Sequence, residues 1–208
     1  AGLVGEDGAT HHGVFDLAYL RCIPNVIIHA PKDAMELQNI LYTASLGLNH
    51  PIAIRYPRGR NKINDFRFNS SEFQFEKIEI GKAIKLKKGK KVAVLSTGIM
   101  TENVTLALQE MENSDSIAHY HFGFVKPLDE KKLHKICKKY STIITVEDGV
   151  KTGGFGSSIL EFSAENDYVN EIFIQGVPDN FIEHGTVEEL QHICKIDVKS
   201  LKSLFSEV

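Results

Sequence analysis

The 208-residue sequence is 42% hydrophobic and 25% charged, with a formal net charge of −3. This composition is typical of a globular protein with a buried core, and the small net charge argues against a general nucleic-acid-binding surface. No stretch approaches the roughly 20 apolar residues of a membrane span. The cysteines form no CxxC pair and indicate buried thiols in a reducing compartment; they are Cys22, Cys137 and Cys194.

The densest group of reactive side chains lies in residues 6–16, here called the reactive loop. It contains Asp7, Thr10 and two adjacent histidines, His11 and His12, and glycines are interspersed among them. Histidine is suited to proton transfer near neutral pH, and glycine lets the backbone approach a ligand closely. A polar surface loop is the alternative, but this density of reactive groups favours a functional loop.

The next segment predicts a β-α-β unit over residues 24–56. An apolar run at residues 25–30 predicts a buried strand, and residues 51–56 predict a second one. Between them, Asp33 is expected to cap a helix with Glu36 as its capping-box partner. Strands joined through a helix in this way belong to a parallel sheet.

Three arginines lie at the end of the second predicted strand, namely Arg55, Arg58 and Arg60. Ligands of open α/β sheets bind outside the carboxyl ends of strands, and a guanidinium group matches phosphate or carboxylate. Position alone therefore makes at least one of these arginines a candidate anion ligand. The alternatives left open are an ordinary surface arginine and an ion pair between domains.

Residues 61–90 predict a linker with a strand or hairpin, and residues 91–208 predict a second α/β domain. In this second part, apolar strand patterns alternate with helical ones. The predicted strands cover residues 92–96, 117–122, 142–146 and 172–174. The predicted helix caps are Asp129, Thr186 and Asp197.

Two features of the second part allow a functional or a structural interpretation. His119 and His121 share one strand face as a candidate metal pair, but no third ligand follows at useful spacing, which favours a solvated or interface face. The glycine-rich turn at residues 151–158 is a candidate phosphate cradle before a helix. It matches neither a Walker A nor a GxGxxG motif, so we expect a tight turn or close helix packing.

Seven short motifs follow one another along nearly the whole chain. They are GEDGATHHGVFD at 5–16, YLRCIPN at 19–25, IRYPRG at 54–59, FVKPLD at 124–129, TVED at 145–148, GGFGS at 153–157 and GVPD at 176–179. Singly they are shared with transketolases and with β subunits of 2-oxoacid dehydrogenases. In this combination and order, the chain resembles the 1-deoxy-D-xylulose-5-phosphate synthase family.

The resemblance implies an α/β fold made of parts of two domains. Residues 1–60 would be the end of a thiamine-diphosphate-binding pyrimidine domain and residues 61–90 a linker. Residues 91–208 would be a transketolase C-terminal-like domain with a mostly parallel mixed sheet. Residues 1–5 lack an initiator Met and resemble the middle of a domain, so we expect a fragment of a longer polypeptide.

The same resemblance places the cofactor machinery upstream of Ala1. The family's Gly-Asp-Gly…Asn diphosphate motif is absent here, and Glu147-Asp148-Gly149 is not that motif because it opens with Glu and lies in the other domain. We therefore expect thiamine diphosphate and Mg²⁺ in the full-length enzyme, but no cofactor or metal ligand within these residues. On its own, the fragment is expected to be inactive.

The implied reaction condenses pyruvate, with loss of CO₂, and glyceraldehyde 3-phosphate to 1-deoxy-D-xylulose 5-phosphate. This is the first step of the non-mevalonate isoprenoid precursor pathway, and it also feeds thiamine and pyridoxal synthesis. By the resemblance, His11 is catalytic and contacts substrate, Asp7 binds substrate, and Arg58 holds the acceptor phosphate. A homodimer is expected in the cytoplasm, or in the plastid of a plant or alga, with no nucleic acid or membrane partner.

Two other classes of protein stay open. Residues 91–208 contain no acid–base cluster comparable to the reactive loop, which is compatible with a non-catalytic assembly module. A β-type subunit of a 2-oxoacid dehydrogenase would share several of the motifs. Arg58 argues against that subunit, because those enzymes bind no phosphorylated acceptor.

Overall fold

The computed structural model describes residues 1–59 and 75–208, so Arg60 lies outside the described residues. The helices are α1 Asp16–Arg21, α2 Ala34–Ser45, α3 Met100–Gln109, α4 Glu130–Lys139, α5 Phe155–Glu165, α6 Val187–Ile193 and α7 Val198–Ser206. The strands are β1 Ile27–His29, β2 Ile52–Ile54, β3 Ile84–Lys87, β4 Val92–Ser96, β5 Ile117–His121, β6 Phe124–Lys126, β7 Thr142–Val150 and β8 Glu171–Val177. Within the described ranges, no helix is long and apolar enough to cross a membrane.

The larger sheet has five strands in the order β3-β5-β4-β7-β8. Strand β4 runs parallel to β5 and β7, and β7 runs parallel to β8. Strand β3 lies within the range 61–90 that was expected to be a linker with a strand, and it adds antiparallel to β5 at the edge. The prediction of a mostly parallel mixed sheet is thereby confirmed.

The smaller sheet has the order β2-β1-β6 and combines early and late segments of the chain. Ile27 of β1 pairs in parallel with Ile52 of β2, and α2 connects the two strands, which confirms the β-α-β unit. On the other side of β1, Ile28 pairs antiparallel with Lys126 of β6. Only residues 122 and 123 separate β6 from β5, so the two sheets meet at that short connection.

Helices cover both faces of the larger sheet. Successive residues of a strand point to opposite faces, and β4 follows this rule. Val92 and Val94 pack in one apolar cluster with α3, α6 and α7, whereas Ala93 and Leu95 pack in a second cluster with α4 and α5. The all-buried pattern of β4 reflects this covering on both sides.

A buried arginine joins the reactive loop, the end of β2 and strand β7. Arg55 Nε lies 2.9 Å from both carboxylate oxygens of Asp16, and Nη1 pairs with Asp148. Nη2 donates to the carbonyl oxygen of Gly13 at 3.1 Å. Burial alone would lower the pKa of Arg55, but the two carboxylates raise it, so the guanidinium stays charged. Arg55 therefore forms ion pairs that link the two parts of the chain, and it is not an exposed anion ligand.

His119 and His121 lie inside the protein, in a polar network between the larger sheet and α2. Ser96 Oγ is 2.7 Å from His119 Nε2, and His121 Nε2 is 2.9 Å from a Glu36 carboxylate oxygen. Burial lowers the pKa of His119 to about 3. Burial alone would raise the pKa of Glu36, but its hydrogen bond with His121 and nearby positive charge lower it to about 2. The two histidines thus lie at an internal interface and not in solvent.

The glycine-rich turn begins helix α5 over a buried carboxylate. Gly154 is the N-cap, and Glu147 accepts hydrogen bonds from the backbone N–H groups of Phe155 and Gly156, both at 2.8 Å. This carboxylate occupies the position that a phosphate would take at a helix N-terminus. A Cβ on Gly156 would come within 2.5 Å of Ile174. The turn therefore serves close helix packing, as expected.

Two local predictions need correction. Asp33 caps α2 by accepting from Glu36 N, but the Glu36 carboxylate accepts from Lys32 N and does not complete the capping box. Instead, the Glu36 carboxylate lies beside the buried histidines His29 and His121. Cys22 is exposed, so the prediction of a buried thiol is wrong there. Its position is turned about 140° around α1 from the buried Leu17.

Replacing Arg55 by Met should destabilise the protein by about 3–5 kcal/mol, because the Asp16 and Asp148 carboxylates would stay largely buried without a countercharge. Urea unfolding followed by circular dichroism measures this change. Arg58→Met is the matched control, since its ion pair is exposed and should contribute less than about 1 kcal/mol. Equal destabilisation by the two substitutions would contradict the assigned role of Arg55.

A second prediction concerns pH and Glu147. Burial raises its pKa to about 7 from the ordinary value of 4.5, although hydrogen bonds from Gly156 and Phe155 oppose the rise. The folded protein therefore binds the proton more tightly than the unfolded chain, and stability falls as pH rises through this interval. Replacing Glu147 by Gln should remove that part of the pH dependence.

Urea unfolding at several pH values between about 4.5 and 7 tests the Glu147 prediction. The free energy of unfolding of Glu147→Gln should improve relative to wild type as pH rises. The matched control is Glu165→Gln, at an exposed position at the C-terminal end of α5, the end away from Glu147. A difference between Glu147→Gln and wild type that stays constant with pH would contradict the raised pKa.

Candidate functional site

The reactive loop is closed at its base by a short backbone bridge. Gly2 and Gly13 exchange hydrogen bonds with N–O distances of 2.8 and 2.9 Å. Gly8 has φ +71°, in the left-handed region that favours glycine. Its carbonyl oxygen accepts from the backbone N–H groups of His11 and His12, at 3.0 and 3.3 Å. The two histidines therefore belong to one tight turn.

His11 is exposed on this turn. Its Nδ1 lies 2.9 Å from the hydroxyl oxygen of Thr10. A hydrogen bond at one ring nitrogen restrains the ring and leaves Nε2 to exchange a proton with a ligand. The arrangement suits general acid–base chemistry, and the catalytic role of His11 stays a prediction.

His12 faces the other way and is only 9% exposed. The backbone N–H of Val4 donates to His12 Nδ1 at 3.1 Å, and Nε2 lies 3.3 Å from the carbonyl oxygen of Glu183. Both ring nitrogens are thus engaged with backbone groups of the protein. Of the two adjacent histidines, only His11 is accessible to a substrate.

Asp7 and Arg58 form an ion pair that links the reactive loop to the segment after β2. Their side chains are 42% and 53% exposed, so solvent and ligands reach both. The structure thus brings together two of the three residues that the motifs assign to substrate binding. An anionic ligand would compete with the Asp7 carboxylate for the guanidinium. Substrate binding by either residue stays a prediction.

Residues 183–185, after β8, pack against the reactive loop, and none of the sequence motifs covers them. A Cβ on Gly8 would lie 3.3 Å from His184 Cβ, and one on Gly5 would lie 3.2 Å from the carbonyl oxygen of Gly185. The signal for this contact is topological. The reactive loop contacts the end of β7, where the Val150 N–H donates to the Val14 carbonyl oxygen, and β8 ends beside β7 at the same carboxyl edge of the parallel sheet.

The three residues predicted for this site supply an exposed imidazole, carboxylate and guanidinium, from His11, Asp7 and Arg58. Together they can exchange a proton, accept hydrogen bonds from hydroxyl groups and bind an anion. Within residues 1–59 and 75–208, no group of three His, Cys, Asp or Glu residues could hold a metal ion.

Comparison with known sequences supports the resemblance inferred from the motifs. The chain is 50% identical to the 1-deoxy-D-xylulose-5-phosphate synthase of Parabacteroides distasonis over 97% of its length. It is 48% identical to that of Bacteroides fragilis over 100%, and 41% identical to that of Aquifex aeolicus over 97%. The chain spans about a third of the length of these curated relatives, or 31%, 32% and 31%.

Solved structures agree on the fold. A split-gene transketolase in an inactive β4 tetramer has a TM-score of 0.82 and 25% identity, covering 98% of this chain and 64% of its own. Transketolase from Campylobacter jejuni has a TM-score of 0.69 and 20% identity, covering 99% and 30% of the two chains, which shows the fold alone.

Family profiles divide the chain in the same order as the motifs. The profile of the transketolase pyrimidine-binding domain matches residues 1–62. That of the transketolase C-terminal domain matches residues 81–201, more than half of the chain. The expected transketolase-like α/β fold is confirmed, and the chain belongs to the transketolase C-terminal domain family.

Proposed function

We propose that these residues form the substrate-facing wall of a 1-deoxy-D-xylulose-5-phosphate synthase. The complete enzyme would condense pyruvate, with loss of CO₂, and glyceraldehyde 3-phosphate. One observation carries the assignment to this face: the ion pair between Asp7 and Arg58 joins the reactive loop to a phosphate-binding candidate. The names of the relatives that are 41–50% identical support the choice of reaction.

The groups on this face fit the substrates better than the cofactor. An exposed guanidinium and an exposed imidazole suit a phosphate and a carbonyl oxygen. Following the family resemblance, we propose that thiamine diphosphate and Mg²⁺ are held by parts of the complete enzyme outside these residues. When bound, thiamine diphosphate supplies the electron sink for the carbon–carbon chemistry.

The residues of this chain would then bind substrate and move a proton. His11 would donate a proton to the oxygen of a carbonyl group as negative charge develops there. The Thr10 hydroxyl, 2.9 Å from Nδ1, would keep the ring in place. Arg58 would hold the acceptor phosphate by charge-assisted hydrogen bonds, displacing Asp7, whose carboxylate would then accept from substrate hydroxyls.

The proposal extends to assembly and location. A homodimer is proposed for the complete enzyme, with activity that requires the cofactor-binding part and is absent from these 208 residues alone. A cytoplasmic location is consistent with bacterial relatives. The three free cysteines are compatible with a reducing compartment.

Replacing His11 by Ala in the complete enzyme should lower kcat by about 100- to 10,000-fold, because a positioned general acid contributes on that scale. The assay measures formation of 1-deoxy-D-xylulose 5-phosphate and CO₂ from pyruvate and glyceraldehyde 3-phosphate. His50→Ala is the matched control, at an exposed histidine between α2 and β2. Undiminished turnover by His11→Ala would exclude the catalytic role, and no turnover by the wild-type enzyme would exclude the proposed function.

Replacing Arg58 by Ala should raise KM for glyceraldehyde 3-phosphate by about 10- to 100-fold, which corresponds to the loss of hydrogen bonds to a charged group. The KM for pyruvate, which carries no phosphate, should change little and is the internal control. Arg58→Lys should recover part of the affinity, since it keeps the charge but not the bidentate fork. An unchanged acceptor KM in Arg58→Ala would refute the phosphate assignment.

A further inference from the structure

We propose that His12 is a positioning residue that fixes His11 by tying the reactive loop to the segment after β8. This inference rests on the proposed function for its catalytic consequence. Its structural basis is independent of that function. The His12 ring bridges the backbone of Val4, before the loop, and the backbone of Glu183, which is 171 residues away along the chain.

The two contacts require one form of the His12 ring. Val4 N–H is a donor, so Nδ1 must be the unprotonated, accepting nitrogen of the ring. The carbonyl oxygen of Glu183 is an acceptor, so the proton must be on Nε2. A neutral ring with its proton on Nε2 satisfies both contacts at once. In this form, Nδ1 accepts a hydrogen bond and Nε2 donates one.

The backbone of the turn carries this restraint to His11. The N–H groups of His11 and His12 both bond to the carbonyl oxygen of Gly8, so the two residues are held in one turn. Within residues 6–13, the side chains other than His12 are short or exposed. His12 is the buried polar side chain of this turn. A shift of its ring would move His11 relative to the substrate.

The geometry also specifies which substitutions preserve the bridge. Glutamine has an amide oxygen that can accept from Val4 N–H and an amide nitrogen that can donate to the Glu183 carbonyl oxygen. Leucine fills a similar volume but provides neither group. The Glu183 side chain is exposed and does not take part, because the contact is made by its backbone. The variants His12→Gln and His12→Leu therefore separate the hydrogen bonds from the packing.

The experiment compares His12→Gln, His12→Leu and His50→Leu in the complete enzyme. His12→Leu should lower kcat by about 10- to 100-fold, as small displacements of a catalytic group do, with little change in KM for pyruvate. His12→Gln should stay within about threefold of wild type, because it keeps both hydrogen bonds. Activity of His12→Leu equal to wild type would overturn the proposal, as would an equal loss in His12→Gln.

A double substitution tests whether His12 acts through His11. In a His11→Ala background, His12→Leu should lower kcat by less than about twofold, because residues that act as a unit are not additive. The same 10- to 100-fold loss in that background would overturn the positioning role.

Amide hydrogen exchange provides a readout besides activity. Exchange over residues 4–13 should be at least about tenfold faster in His12→Leu than in wild type, and close to wild type in His12→Gln. Unchanged exchange in His12→Leu would overturn the tether. If the wild-type enzyme forms no product, the proposed function fails, and this measurement still decides whether His12 restrains the loop.

Discussion

The structure depends on one buried guanidinium. Arg55 extends from the end of β2 and contacts Asp16 at the end of the reactive loop and Asp148 in β7. A buried charge is tolerated only when it is paired and hydrogen-bonded, and here its partners come from two segments that are distant from it in the sequence, the reactive loop and β7. The contacts of Arg55 with Asp16 and Gly13 thus fix the position of the reactive loop. Arg58, three residues later, lies beside the reactive loop and pairs there with Asp7.

Local patterns predict much of this fold. The strands and helices have clear apolar periods, and caps such as Asp129 and Thr186 are found where expected. The strand order was not contained in these patterns, because pairing is a non-local property. Strand β6 is three residues long, and nothing in its sequence reveals that it pairs with β1. Likewise, the sequence pattern predicts Glu36 as a capping residue, because it does not reveal that the buried His121 lies beside its carboxylate.

In the candidate site, too, local features could be predicted from the sequence and long-range contacts could not. The motif around His11 identifies the loop, and the arrangement of Asp7 against Arg58 agrees with a shared surface. The adjacent histidines could not be separated by sequence alone, since their surroundings differ only in three dimensions. His12 is turned inward by two backbone contacts, one of them to a residue after β8. A sequence window around the loop contains no information about that distant carbonyl group.

The antiparallel pairing of β1 with β6 has a consequence for biosynthesis. Residues 27–29 leave the ribosome long before residues 124–126, so the first half of the chain is made while one edge of its sheet still lacks a partner. Unpaired strand edges are prone to association with other chains. The early segment therefore completes its sheet only after translation has passed β6. The pairing thus makes the small sheet depend on both parts of the chain, although their family profiles match separate stretches of sequence.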